Sequence, residues 1–226
     1  MKAVLSFISL FTGCFMFLMC SKSIDSECTN HITNYQDISL LLLKHVHLDN
    51  SQYRLDLTLE EAIKLGIPKN LYQRALDDIE NVNIEIQKCM NMSNSEIILT
   101  DFQKILSAET KSCPHPKPLI YLGELNGQIC TCDMGTSNIT TAFAPSNINH
   151  IRFHCLSKAA LITVITCSVK AAFGDWVHRS HAASSIVNVK IDVPLTASNC
   201  DISLKISTMD SHGVWANFYG IHKSLD

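Results

Sequence analysis

The chain has 226 residues, enough for one large domain or two small ones. Hydrophobic residues make up 46% and charged residues only 17%, so a compact core can form and disorder along the whole chain is excluded. A formal net charge of −3 gives no broad positive field for phosphate backbones, which argues against nucleic acid as a partner.

Lys2 is a minimal positive start, and Ala3 to Met19 follow without a single charge. This run exceeds a usual signal core and just reaches the lower end of a membrane-spanning helix, roughly 17–25 residues. Residues 1–20 therefore read as a signal peptide or anchor. Three outcomes stay open: cleavage as an ordinary signal, retention as a membrane anchor, or processing to a lipidated cysteine. Without these residues the chain loses one cation, Lys2, and its charge goes from −3 to −4. Either way, residues 21–226 are expected outside the cytoplasm.

Two cysteines could take a lipid. Cys14 follows the small Gly13, but greasy residues Phe15 to Met19 come after it. Cys20 follows Met19, and the chain then turns polar at once as Ser21-Lys22-Ser23-Ile24-Asp25. This stretch of about ten residues resembles the start of bacterial surface lipoproteins, where a modified cysteine opens a polar tether. The resemblance implies lipidation at Cys20 and says nothing of the folded part. Cysteine parity points the same way. Removing or lipidating Cys20 leaves Cys28, Cys89, Cys113, Cys130, Cys132, Cys155, Cys167 and Cys200, an even set of disulfide candidates in an oxidising compartment. Some of them could instead be small buried hydrophobes.

Residues 21–57 read as a tether or irregular lead-in, although Ile38 to Val46 are apolar enough to pack. Residues 58–112 read as helical. Thr58 to Glu61 is a capping box, and the short helix it opens stops at Gly66. Pro68 suits the first turn of the next helix. There Leu71, Ala75, Ile79, Val82, Ile86 and Met90 form one apolar stripe over about six turns. Thr100 to Gln103 is a second capping-box candidate, with Phe102, Ile105 and Leu106 expected to face inward. Residues 58–76 resemble a helix-turn-helix, but the second helix opposes Lys69, Arg74 and Lys88 with Asp77, Asp78, Glu80 and Glu85. A net negative helix does not read DNA.

Residues 113–118 hold three of the six prolines and read as a Pro-rich hinge. Beyond it the period becomes two. Val187 to Val193, Ile202 to Ile206 and Val214 to Phe218 alternate apolar and polar residues. The turn at Asp210 to Gly213 suggests that the last two strands form a hairpin. Leu161 to Val169 suits a central buried strand, and earlier strands are expected at 119–123, 127–132 and 150–156. The fold expected is α+β: an N-terminal helical segment followed by a C-terminal antiparallel β-sandwich over residues 119–226.

His150 and His154 invite a metal reading. On a strand they stand about 13 Å apart, too far for two zinc bonds of about 2 Å. Cys130-Thr131-Cys132 suits two disulfides better than metal in an exported chain. No cofactor and no metal are therefore expected. The densest polar cluster is Asp175-Trp176-Val177-His178-Arg179-Ser180-His181, expected on a loop spanning 174–184. Asp175 and His178 are the weak catalytic candidates, with Ser180 or Ser184 as nucleophile, yet no Gly-x-Ser-x-Gly elbow is present. Trp176, His178, Arg179, His181 and Trp215 are the candidate ligand contacts. Asn91-Met92-Ser93 and Asn138-Ile139-Thr140 are glycosylation sequons. The function expected is an exported, non-enzymatic binding or surface protein, secreted or held at the cell surface, with an extracellular protein, glycan or small ligand as partner, and with the membrane as a partner where residues 1–20 or an acyl chain on Cys20 anchor it. The alternatives are a secreted hydrolase, or a membrane-active toxin that inserts residues 159–169.

Overall fold

The computed structural model describes residues 35–107, 125–131, 135–141, 148–159, 161–209 and 213–221. The N-terminal segment, the Pro-rich hinge, the strand expected at 119–123 and the turn at 210–212 lie outside them, as do Cys14, Cys20, Cys28, Cys113 and Cys132. The described chain is mostly β, with three sheets and four helices.

The stretch expected as an irregular lead-in is regular from Tyr35 onward. Helix α1 (Tyr35–Leu43) is followed by strands β1 (Val46–Asp49) and β2 (Gln52–Leu55), an antiparallel hairpin. Its two turn residues, Asn50 and Ser51, both have positive φ, as a tight hairpin turn requires. Asn83 then serves β2 as a surrogate strand. Its carboxamide accepts from the Tyr53 N–H at 2.8 Å and donates to the Tyr53 carbonyl at 2.9 Å.

The first capping box forms as its residues require. The Glu61 N–H donates to Thr58 Oγ1, and the Glu61 carboxylate accepts from the Thr58 N–H, opening α2 (Leu59–Lys64). These bonds from Thr58 hold the Glu61 carboxyl below its ordinary range. Gly66, at φ +79°, ends the helix in a Schellman motif: its N–H reaches the Ile63 carbonyl, and the Ile67 N–H reaches Ala62. No atom lies within 4 Å of a Cβ placed at Gly66, so only backbone strain opposes a side chain there. Gly66→Ala is expected to cost about 1 kcal/mol and to lower the melting temperature by roughly 2–4 °C in a thermal unfolding scan.

Helix α3 (Lys69–Asn91) follows, with Pro68 as its N-cap residue and not inside its first turn. The buried stripe is Tyr72, Ala75, Ile79, Val82, Ile86 and Cys89. Leu71 packs against the core while only partly buried, and Met90 drops out of the expected stripe, because its ends are decided by what α3 meets. Tyr72 donates its hydroxyl to the Leu57 carbonyl, and Cys89 sits over Thr166. Strand β3 (Ser95–Leu99) and helix α4 (Phe102–Ser107) complete this half. The second capping box does not form. Asp101 accepts from the Lys104 N–H, while Gln103 donates to carbonyls at the end of α1 and start of β1. Of the α4 residues expected inside, only Phe102 is buried; Ile105 and Leu106 are exposed because one short helix face meets the core.

The remaining strands are β4 (Asn126–Thr131), β5 (Gly135–Thr141), β6 (Ile148–Ser157), β7 (Thr163–Ala171), β8 (Val177–Ala183), β9 (Asn188–Ala197), β10 (Ile202–Thr208) and β11 (Val214–Ile221). They form a five-stranded sheet, β3-β8-β7-β10-β5, and a four-stranded sheet, β4-β11-β6-β9. Inner residues of both sheets, among them Phe153, Ile165, Ile191, Leu204 and Phe218, make one core, which gives a sandwich-like arrangement. Strand β7 is buried on both faces, as its composition predicts. Ile165, Cys167 and Val169 enter the core between the sheets, while Val164 enters a second core with α1, α3 and the hairpin. On the four-stranded sheet, Arg152 is buried and makes a two-bond pair with Asp192 across β6 and β9, at 2.6 and 2.7 Å.

Three expectations are corrected. Strands β10 and β11 are not a hairpin: β10 pairs with β5 and β7, and β11 pairs with β4 and β6. The chain crosses from one sheet to the other, which buries the same alternating residues. The larger sheet is not wholly antiparallel, because β3, from the half expected to be helical, runs parallel to β8 at its edge. Finally, no sulfur pair lies at bonding distance among the described cysteines, Cys89, Cys130, Cys155, Cys167 and Cys200.

Candidate functional site

The polar cluster expected on a loop is a strand. Only Asp175 and Trp176 belong to the turn after β7; Val177 to Ala183 are β8. The consequence is chemical, because successive strand residues point to opposite faces. Val177 and Ala183 pack toward the core between the sheets, and Ala182 packs toward the helical layer. Arg179 and His181 share the first face, and His178 and Ser180 the second.

On the helical-layer face, His178 Nδ1 is 2.7 Å from Ser168 Oγ, and the ring stacks on Trp176 at 6.4 Å between centroids. Burial first, then Lys205 and Arg179, holds the His178 pKa below its ordinary value. Its partner is Ser168, not Asp175, which is exposed on the turn. Ser180 is buried and bonded to Thr166 at 2.9 Å, and Ser184 is fully buried with its hydroxyl facing the Ile186 N–H. Neither serine presents its oxygen to a substrate, and His178 bonds to Ser168 and not to either of them. The two tryptophans are also separated. Trp176 lies in the turn that leads into β8 of the five-stranded sheet, and Trp215 on the outer face of the four-stranded one, beside Leu156.

On the other face, Arg179 lies at an open cleft of about 640 Å³. Three contacts fix its guanidinium: Nε to Glu96 Oε2 at 3.0 Å, and Nη1 donating to the carbonyls of Asn94 at 3.3 Å and His178 at 2.8 Å. Asn94, Ser95, Asn149 and His150 add polar groups, while Val177, Pro194 and Leu195 add an apolar wall. The cleft thus joins the β3–β8 edge of one sheet to the β6–β9 edge of the other. An oriented guanidinium beside side-chain amides and an imidazole suits a ligand bearing a carboxylate or adjacent hydroxyls.

His181 lies further along the same strand face. Its Nε2 is 2.9 Å from Thr100 Oγ1, and its Nδ1 is sealed from solvent with no hydrogen-bond partner among the described residues. Burial drives its pKa down to about 4. Of the five ligand-contact candidates, then, Arg179 reaches the cleft. His181 is a half-buried ring with its Nδ1 sealed, His178 and Trp176 pair on the opposite face, and Trp215 is on another sheet. Sequence reasoning missed the cleft residues Asn94, Ser95 and Asn149, and Glu96, which pairs with Arg179. They carry no motif and meet Arg179 only through the parallel pairing of β3 and the approach of β6. No group of three or more metal-ligating side chains occurs among the described residues. No protein-family model matches the chain, and no curated protein does.

Proposed function

We propose that this chain is an exported, non-enzymatic binding protein that takes a carboxylate- or hydroxyl-rich ligand, such as a glycan or a small acid, in the Arg179 cleft. The reading takes the chain as α+β, with a helical layer on a β-sandwich, and residues 1–20 as a cleaved signal, a retained anchor, or a leader to an acylated Cys20. The observation that carries it is the guanidinium of Arg179, oriented by Glu96 and two carbonyls at the rim of an open cleft. The burial of Ser180 and Ser184 weighs against the hydrolase alternative. Residues 163–169 lie in a strand buried on both faces, which weighs against an inserting toxin.

The test is a thermal-shift and calorimetric screen of the mature protein against neutral and carboxylate-bearing oligosaccharides and small acids. A ligand that stabilises the wild type should lose about tenfold or more in affinity with Arg179→Ala, the cost of a charge-assisted pair. Binding unchanged by Arg179→Ala would move the site elsewhere, and no binding across the panel would end the proposal. Intact mass of protein from its native host tests the anchor: an acyl mass on a chain beginning at Cys20 supports it, and a chain still beginning at Met1 overturns lipidation.

A further inference from the structure

We propose that Cys155 and Cys167 form a disulfide that staples the two sheets together. Cys155 comes from β6 and Cys167 from β7, in different sheets, and both point into the shared core. Their sulfurs are 3.7 Å apart, in van der Waals contact, with both residues buried. A bond of about 2.05 Å needs only a small approach of the two side chains. Other β-sandwiches carry a disulfide across the same gap. The remaining described cysteines do not compete for this position. Cys89 faces the helical layer, bonded to Thr166 and Ser180, and Cys130 stands opposite Trp215 on the outer face. Cys200 packs at the margin of the core.

The step is a two-electron oxidation by a small-molecule disulfide such as oxidised glutathione. One cysteine thiolate attacks the oxidant and releases one reduced thiol. The second cysteine then displaces the mixed disulfide, releasing the other reduced thiol and leaving the Cys155–Cys167 bond. Both protein protons are lost to solvent or to the departing thiolates. Once the sheets have closed, the thiols are out of reach. Burial, reinforced by the neighbouring Cys155, also raises the Cys167 pKa well above its ordinary value, so little nucleophilic thiolate exists. The bond therefore forms during folding. In the cell it needs the oxidising compartment of the export reading, but its chemistry does not depend on that reading.

The experiment refolds the reduced full chain in a buffer of oxidised and reduced glutathione, blocks free thiols and maps the peptides without reduction. The expected product is a peptide pair joined through Cys155 and Cys167, formed on refolding and not when folded reduced protein meets the same buffer. The oxidised protein should melt roughly 6–12 °C above the reduced form. That difference should vanish in the double variant Cys155→Ala, Cys167→Ala, and a variant that fails to fold leaves the peptide map of the wild type to decide. Blocked thiols at both positions after refolding, or either cysteine bonded elsewhere, overturn the proposal. A bond formed in vitro with both thiols reduced in protein from the native host sustains the pair and overturns the export reading instead.

Discussion

Phe218→Ala is expected to destabilise the protein by about 3–5 kcal/mol, a fall of roughly 6–20 °C in melting temperature. Phe218 lies at the centre of the core between the sheets, 1% exposed, with its ring centroid 6.2 Å from that of Phe153. Its cross-strand partner is Gly127, and a Cβ there would stand 2.5 Å from the Phe218 ring. The ring therefore occupies the space that a side chain on β4 would fill. After truncation Gly127 has nothing to offer the void, so collapse is limited and the cavity cost stays high. The control is Phe173→Ala at the tip of the β7–β8 turn. Phe173 is 99% exposed, and the same change there should stay within about 0.5 kcal/mol. Denaturant titration of both variants checks the pair. Equal losses would contradict the assignment of the core.

Acid should weaken the fold through His181. Its folded pKa is about 4, against about 6.5 for a free imidazole, because burial disfavours the charged ring. Between these values the unfolded chain binds more protons than the folded one. Stability is thus fully present above about pH 6.5 and is lost as pH falls toward 4. A tenfold difference in proton affinity is worth about 1.4 kcal/mol. The ring is partly at the surface while its Nδ1 is sealed, so the expected loss is about 2–3 kcal/mol. His154 and His178 are also held below their ordinary values, chiefly by burial, and push in the same direction. The isolating measurement is therefore a difference. Unfolding free energies at pH 7.0, 5.5 and 4.5 should fall more steeply for the wild type than for His181→Gln, whose amide can still meet Thr100. Parallel curves would remove His181 from the acid response.

Periodicity decided much of the local structure. The box at Thr58 and Glu61, the stop at Gly66, and most of the α3 stripe follow from short-range rules, because the groups involved are at most a turn or so apart in the chain. The burial of Ile202, Leu204 and Ile206, and of Val214, Ala216 and Phe218, was equally legible, since alternation states which residues face inward. It does not state which strand lies alongside. A hairpin and a crossing between sheets bury the same residues, so only the tertiary structure separates β10 from β11. The same limit applies to the site. Composition marked residues 175–181 as polar and chemically dense, yet a strand divides neighbours between two faces. Arg179 goes to a cleft, while His178 and Trp176 turn to the other side. Asn94 and Glu96 reach Arg179 from 83 or more residues away in the chain, through parallel pairing that no local pattern encodes. For Cys155 and Cys167, the sequence by itself offered two members of an even set. Which sulfur lies against which depends on how two sheets close over a core, and that is a property of the fold.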